Sequence, residues 1–325
     1  MKRNIFLALL LLAGACKKDD NTAPANNDQN NRLLYVIEDN LFNFSYFNTA
    51  LTVTNMNTTL LGEGPYTVLV PDNSAFNNAG YNSETSVATA SGITLNNMVR
   101  YHVLDGRWEL NKLPFRFNQS IITKSGAQLF VTHWVKNQDT VLTINGTRVT
   151  AQNMPASNGL IQVINTVMPP LLQNMLGEAV AADPSLTYLN VALQQAGMKD
   201  LLAGEGPYTI FAPNNNAFIA AGFPTLDSIS RTDPAVLKAM LQFHIVANRR
   251  FVYDYVLSTD NTNVSQQTML NNSTTTVKLI SSGVDYSGIT IQGAGNTQPC
   301  NLVKSNVLTN NGVLHVIDKV LKENF

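Results

Sequence analysis

The sequence is short of charged residues, cysteines and long apolar runs, and each shortage excludes a class of protein. Charged residues make up 13% of the 325 positions, roughly half of the share that is usual in soluble domains. The net charge is −1 and no basic stripe is evident, so we predict no nucleic-acid partner, which would need clustered lysine and arginine. Two cysteines are present, too few for a disulfide framework. The apolar fraction of 44% is that of a globular protein.

The first residues predict export. Met1-Lys2-Arg3 is positively charged, and the apolar stretch Ile5–Ala13 that follows has nine residues, whereas a membrane span needs about 20. The next residues, Ala13-Gly14-Ala15-Cys16, resemble a bacterial lipobox, although Ala13 stands where Leu is preferred. We therefore predict a lipoprotein signal peptide over residues 1–15 and lipidation of Cys16, including palmitate. The alternative is an ordinary signal peptide, cut after Ala15, that happens to leave a cysteine.

Residues 16–31 show no hydrophobic period and predict a flexible tether between the lipid anchor and the first domain. Charged residues directly after the cysteine, Lys17–Asp20, resemble export signals of some Gram-negative lipoproteins. We therefore predict an outer membrane lipoprotein exposed at the cell surface. The second cysteine, Cys300, lies in a polar stretch without a histidine nearby in sequence, which indicates a small semi-buried residue and not a nucleophile.

Self-comparison shows that the chain contains one domain twice. The segment Gly62–Thr67 (GEGPYT) recurs at an offset of 142 as Gly204–Thr209, and His102 maps to His244 at the same offset. A register shared over so long a stretch indicates duplication. We predict a first domain over residues 32–169 and a second over residues 170–325.

Both copies close on an Asn-Gly pair, which predicts a hairpin, followed by a final strand. These pairs, Asn158-Gly159 and Asn311-Gly312, are separated by 153 positions, so the second copy carries about 11 extra residues. We expect them in a surface loop. Asp260–Ser273 and the Gly293–Gly295 turn are the two candidate places.

Helical patterns come early in each copy and short strands come late, which favours α+β over a parallel α/β sheet. In the second copy we predict a helix over Thr187–Ala196, a strand over Tyr208–Ala212 and a helix that Asp233 caps. Pro234 suits the first turn of that helix. Further strands are predicted from alternating runs at Gln128–Trp134, Thr140–Ile144 and Thr276–Ile280.

The equivalent histidines His102 and His244 lie on the apolar face of a helix, where histidine usually makes a hydrogen bond to nearby backbone. No His-x-x-x-His or Cys/His cluster exists and the carboxylates are scattered, so we predict no metal and no cofactor. The first copy has Gln162 where the second has His315, which excludes a shared catalytic role there. The Gly-x-Gly segments precede strands and do not open helices, unlike a phosphate loop. We predict that the protein is not an enzyme.

Three ordered blocks of the second copy resemble the fasciclin domain family. They are Gly204–Phe218, a helix that ends in Phe243-His244, and Asn311–Leu321. The first copy matches over Gly62–Phe76 and at Tyr101-His102. It departs from the family at two positions, Gln162 and Asn165, where His and Asp are favoured.

The resemblance implies an α+β fold, in which each repeat is a β-sandwich or wedge with helices packed on it, in two tandem copies. It also implies a role in adhesion. In animal members a Tyr-His segment and an Asp-Ile pair are linked to receptor binding. Tyr101 and His102 match that segment, and Phe243 and His244 replace it in the second copy, so these four are candidates for a binding or structural role. The Asp-Ile position holds other residues, Asn153-Met154 and Asn306-Val307, so animal-type receptor binding is not expected.

Two functions remain after these exclusions. The first is a non-catalytic cell-surface lipoprotein that mediates adhesion or binds a matrix or cell-surface protein. The alternative is a glycan-binding accessory lipoprotein of a polysaccharide uptake system, since sugars stack on aromatic rings. The candidate aromatic residues are Trp108, Trp134, Tyr253 and Tyr255, and packing is the competing explanation for each. A hydrolase would need a carboxylate pair that the sequence does not show.

Overall fold

The structure, a computed structural model, describes residues 29–169, 171, 173–283 and 285–324. These residues form two successive modules, each with a group of helices and a seven-stranded sheet. The helices of the first module are α1 (Leu33–Glu38), α2 (Leu41–Val53), α3 (Met56–Leu60), α4 (Asn73–Asn78), α5 (Glu84–Ala88) and α6 (Gly92–Tyr101). Its strands are β1 (Tyr66–Pro71), β2 (Val103–Asp105), β3 (Arg116–Ile122), β4 (Gln128–Lys136), β5 (Asp139–Ile144), β6 (Thr147–Ala156) and β7 (Gly159–Ile164).

The second module repeats this order with one further helix. Its helices are α7 (Leu176–Ala182), α8 (Thr187–Gln195), α9 (Lys199–Ala203), α10 (Asn215–Ala220), α11 (Leu226–Ser230), α12 (Pro234–Gln242) and α13 (Val252–Ser258). Its strands are β8 (Tyr208–Pro213), β9 (Ile245–Val246), β10 (Val264–Thr268), β11 (Thr274–Ser282), β12 (Asp285–Gly293), β13 (Cys300–Thr309) and β14 (Gly312–Ile317).

The predicted elements match these closely. Helix α8 ends one residue before the expected Ala196, and Gly197 then takes a left-handed φ of 64°. The side chain of Asp233 caps α12 by accepting a hydrogen bond from the Ala235 N–H at 2.7 Å. Strand β8 runs one residue further than expected and includes Pro213, which pairs with Ile317.

The two sheets have the same strand order. It is β2-β1-β7-β6-β5-β4-β3 in the first module, and β9-β8-β14-β13-β12-β11-β10 in the second. One pair in each sheet is parallel, β1 with β7 and β8 with β14, and the other pairs are antiparallel. Register shifts interrupt β6 and β13, where Asn153 and Asn306 have φ values of 52° and 58°. Such bulges bend a sheet.

Each sheet curls around one core and carries helices on its other face, whereas α13 of the second module packs on the curled side through Tyr255 and Val256. Leu69 of β1 and Val131 of β4 lie in the same apolar cluster, although three strands separate them in the sheet. Their neighbours Val68 and Val70 point the other way and join the helices in a second cluster, as alternation along a strand requires. The second module has the same two layers. The expected wedge with packed helices is confirmed, as a single curled sheet.

The extra residues of the second module lie in two places. The offset between equivalent residues is 142 at the histidines, 146 where Ile122 and Thr268 end equivalent strands, and 153 at the final strands. The first increase falls in the connection between β9 and β10, which holds α13 and overlaps the beginning of the predicted range Asp260–Ser273. The second falls between β12 and β13, at the expected Gly293–Gly295 turn and the residues after it.

A buried asparagine joins the sheet to the helices in each module. Asn158 accepts a hydrogen bond from the Leu33 N–H at 2.8 Å, and it donates to the carbonyls of Leu60 and Gly62 at 2.8 and 2.7 Å. Asn311 makes the three equivalent bonds in the second module. The residue that follows Asn158 must be glycine, since a Cβ on Gly159 would lie 2.1 Å from the Tyr66 carbonyl oxygen. The predicted hairpin joins β6 to β7, but its turn consists of Ser157 and Asn158. Gly159 is already the first residue of β7, whereas the Asn-Gly pair had predicted it in the turn.

We predict that Asn158→Ala lowers the free energy of unfolding by about 2–4 kcal/mol, because three backbone groups, two of them buried, lose their partner. Denaturant unfolding of the soluble chain measures the loss. Asn77→Ala is the matched control, since Asn77 is exposed on α4, and it should change stability by less than about 0.5 kcal/mol. Equal stability of the two variants would contradict the role of Asn158.

Candidate functional site

The Tyr101-His102 segment lies inside the first module. His102 follows α6, and its Nδ1 is 2.8 Å from the Met98 carbonyl oxygen, while its Nε2 accepts the Met168 N–H at 3.1 Å. Because Nε2 is an acceptor, Nδ1 carries the proton and donates to Met98. The Tyr101 hydroxyl donates to the Gln128 carbonyl at 2.9 Å and accepts from Asn145 at 2.8 Å. Both side chains are buried.

The Phe243-His244 segment occupies the same place in the second module. His244 Nδ1 is 2.8 Å from the Met240 carbonyl oxygen, and its Nε2 accepts the Leu321 N–H at 2.9 Å. Phe243 is buried in the core of the curled sheet. All four candidate side chains are therefore buried, and the two histidines tie their helices to the end of each module.

His315 and Gln162 are equivalent residues that make equivalent bonds. Each receives the N–H of the bulged asparagine, Asn306 at 3.2 Å for His315 and Asn153 at 3.0 Å for Gln162. Each also contacts a loop carbonyl, Arg250 at 2.9 Å from His315 Nε2 and Trp108 at 3.4 Å from Gln162 Nε2. The position holds the bulge against the loop, and glutamine and histidine both suit it.

Of the two cysteines, Cys300 lies in the described part of the chain, and its thiol is not exposed. Cys300 is fully buried, more than the semi-buried place expected for it, and burial raises the pKa of its thiol to about 12. Cys16, residues 1–15 and most of the predicted tether lie outside the described residues. Among the described residues no helix is long and apolar enough to cross a membrane, and no three His, Cys, Asp or Glu side chains form a metal-binding group.

The four candidate aromatic residues lie in different surroundings. Tyr255 is buried, and Tyr253 donates its hydroxyl to Asp285 at 3.0 Å. Trp108 is partly exposed on the first module, where its Nε1 donates to the Asp105 carbonyl at 2.9 Å. Trp134 is half-buried beside the second module.

Arg249 connects the two modules. Its guanidinium lies 3.7 Å from the centre of the Phe130 ring in β4 and donates to three carbonyls of the second module, those of Thr309, Asn310 and Gly312, at 2.7 to 3.2 Å. Burial lowers the pKa of Arg249 to about 10, so the group stays charged at neutral pH. A desolvated cation over an aromatic face contributes about 2 kcal/mol. The equivalent residue of the first module, Arg107, is exposed.

Asp254 of α13 is the second link between the modules. Its carboxylate is fully buried and accepts hydrogen bonds from Asn118 and Thr132 of the first module, both at 3.0 Å. It also accepts the Phe251 N–H of its own helix at 2.8 Å. Burial raises the pKa of Asp254, while these hydrogen bonds lower it. A buried carboxylate with donors from both modules fixes their relative position.

The rim of the junction is polar, and its buried part combines apolar rings with the charged groups of Arg249 and Asp254. Arg148 and Asp285 form an ion pair of 2.9 Å between the modules, and the Lys136 ammonium donates to the Thr259 carbonyl. At the centre Phe251 packs with Phe130. Phe251 also lies so close to Gly146 that a Cβ there would be 2.5 Å away.

A cleft of about 560 Å³ opens beside this junction. One wall is the outer face of the β3–β4 hairpin, and the other is formed by the 205–207 turn and the 248–250 loop. Among its lining residues are Phe115, Arg116, Phe117, Trp134, Glu205 and Arg250. Sequence interpretation singled out Trp134 but missed the other five. The sequence did contain a signal for Arg250. It aligns with Trp108 at the offset of 142, so the two copies carry different residue types at this loop position.

A tandem pair of helix-covered curled sheets, joined through a polar and aromatic junction, defines a two-domain α+β protein. The fasciclin domain matches residues 42–170 and again residues 184–323, and the chain belongs to this family.

Curated relatives of this chain include two much longer proteins and one shorter protein. It is 28% identical to the transforming growth factor-beta-induced protein ig-h3 of Sus scrofa over 261 residues, which is 80% of this chain and 35% of that protein. It is 25% identical to periostin of Homo sapiens over 265 residues, 80% of this chain and 28% of that protein. The immunogenic protein MPB70 of Mycobacterium bovis is 29% identical over 169 residues, 48% of this chain and 75% of that protein. The chain thus spans about a third of the first two relatives.

Among solved structures, the chain resembles a FAS1 domain pair from the insect cell adhesion molecule Fasciclin I. The TM-score is 0.42 and the identity 16%, and the likeness covers 89% of this chain and 96% of that one.

We predict that His315→Gln leaves the free energy of unfolding near pH 7 within about 1 kcal/mol of the native value, because Gln162 already makes the equivalent bonds. The folded-state pKa of His315 is lowered to about 4, below the unfolded value of about 6.5. Its neutral form is therefore favoured by folding, and this stability is lost as the pH falls from about 6.5 to about 4. Over this pH window the free energy of unfolding of the variant should fall by up to about 3 kcal/mol less than that of the native protein.

Urea denaturation at several pH values between 7.5 and 4 measures both effects. The matched control is His315→Ala, which leaves the Asn306 N–H and the Arg250 carbonyl unpaired and should cost about 2–3 kcal/mol already at pH 7. If the glutamine variant were as unstable as the alanine variant at pH 7, the equivalence of the two positions would be wrong.

Proposed function

We propose that the protein is a non-catalytic cell-surface lipoprotein whose two fasciclin domains mediate adhesion or bind a matrix component. Family membership over both copies supports this, together with the adhesive role that the family resemblance implies. The residues that could suggest catalysis have structural partners instead. His102, His244 and His315 each use both ring nitrogens on backbone groups of their own module.

The observation that carries the proposal is the junction between the domains. Arg249, Asp254 and Phe251 contact the first module with a buried cation, a buried carboxylate and an apolar ring. Two domains held in this way present one continuous surface, and a rigid surface loses less entropy when it binds than two mobile domains do. A matrix ligand can therefore contact both copies at once.

The anchor completes the proposal. Lipidation of Cys16 would leave residues 17–28 between the membrane and the first described residue, Gln29. An extended chain of this length reaches up to about 40 Å. The first module would then stand clear of the lipid headgroups, with the second module joined to it. We propose the outer membrane, with exposure at the cell surface, as its location.

We predict that Cys16→Ser abolishes labelling of the chain by an alkyne analogue of palmitate in a Gram-negative host and releases the protein from the membrane fraction. Cells that carry the native chain should adhere to a surface coated with extracellular matrix several-fold better than cells that carry the variant at equal expression. Cys300→Ser is the matched control and should retain the label and the adhesion.

Two outcomes would contradict the proposal separately. Labelling of the Cys16→Ser variant would show that this residue is not the acylated one. Equal adhesion of native cells and of cells without the chain would show that the domain pair is not adhesive.

A further inference from the structure

The cleft beside the domain junction contains an aromatic platform. The rings of Phe117 and Trp134 lie 4.6 Å apart at their centroids, with an angle of 41° between their planes. Both side chains are half-buried and line the cleft. At the rim Phe115 is 57% exposed and packs on His133 at 4.5 Å. Core packing does not account for the whole of this platform, because Phe117 and Trp134 keep part of their surface exposed and line the cleft.

Cationic groups surround the platform. Arg116 is exposed, and within the described residues no carboxylate lies within 4 Å of its guanidinium. Arg250 lies 5.6 Å from the Phe117 ring and donates to the Ser258 hydroxyl at 2.6 Å, and its buried Nε has no hydrogen-bond partner. Glu205 is the one carboxylate among the lining residues. The lining residues therefore carry more positive than negative charge in a chain whose net charge is −1, and Arg250 also interacts with the buried carboxylate of Asp254 beside the cleft.

We propose that this cleft binds an acidic polysaccharide that carries uronic acid residues. The apolar C–H faces of the sugar rings would pack on Phe117 and Trp134, and their carboxylates would pair with Arg116 and Arg250, whose planar guanidinium groups match carboxylate geometry. This inference rests on the proposed function, since it names the class of matrix ligand that the domain pair would hold.

An acidic peptide suits the cleft less well. A peptide would bind most simply by adding a strand to β3, which is the edge strand of its sheet. The register of β3 is broken between Arg116 and Gln119, and Asn118 between them has a left-handed φ of 54°. Such a bulge interrupts edge pairing, whereas stacking on rings and pairing with guanidinium groups does not need the edge.

The test measures binding of the soluble chain, residues 17–325, to polygalacturonate and alginate by affinity electrophoresis and calorimetry. Dextran is the neutral probe and polyglutamate is the acidic peptide probe. We expect binding to the two uronic acid polymers, a fall in affinity at high salt, and no binding to dextran. Trp134→Ala combined with Arg116→Gln should weaken binding at least tenfold, and Trp134→Phe should retain most of it.

The matched control is Trp108→Ala combined with Arg107→Gln, an exposed pair of the same residue types outside the cleft, which should leave binding unchanged. The inference is overturned by equal binding of dextran, by equal binding of polyglutamate, by no binding of either uronic acid polymer, or by equal loss in the control. The cell-adhesion assay with the cleft variant separates the two proposals. If adhesion persists while the cleft is disabled, the ligand inference fails and the adhesive function stands.

Discussion

The arrangement of the two domains depends on one buried cation. Arg249 reaches from the second module to the ring of Phe130 and is held by three carbonyls of its own module. At the same junction the carboxylate of Asp254 accepts hydrogen bonds from Asn118 and Thr132, and Gly146 gives room for Phe251. A buried charge is costly without its partners, so these contacts stabilise the junction together and its geometry is well defined.

Duplication explains both the framework and the difference between the copies. Both modules share the buried asparagine (Asn158 and Asn311), the histidine after the helix (His102 and His244) and the bulged strand. These features occur twice because each module has to join helices to a curled sheet. Arg107 and Arg249 started from equivalent positions, yet Arg107 is exposed and Arg249 is buried at the junction. The extra helix α13, which supplies Asp254, exists in the second copy. The copies therefore differ where they meet.

Sequence patterns predicted the fold more fully than the site. Helix periodicity, Asp233 as a cap and the repeated Gly-Glu-Gly-Pro turn placed the elements, because these signals are local. The absence of partners nearby in sequence favoured a structural role for the histidines, but their bonds to Met168 and Leu321 join residues that are 66 and 77 positions apart, which no local pattern predicts. The junction depends on the contact between Phe130 and Arg249, which are far apart in sequence. It also depends on the inserted helix α13, which no periodic pattern predicted. Such contacts follow from the folded arrangement of the strands.

Nitrogen-15 relaxation of the soluble chain shows whether the two domains move as one body. We expect a single rotational correlation time for amides of both modules, and we expect Arg249→Ala to give each module its own correlation time while Arg107→Ala does not. Distinct and shorter correlation times for the two modules of the native chain would contradict this expectation, and would show that the domains are joined by the linker alone.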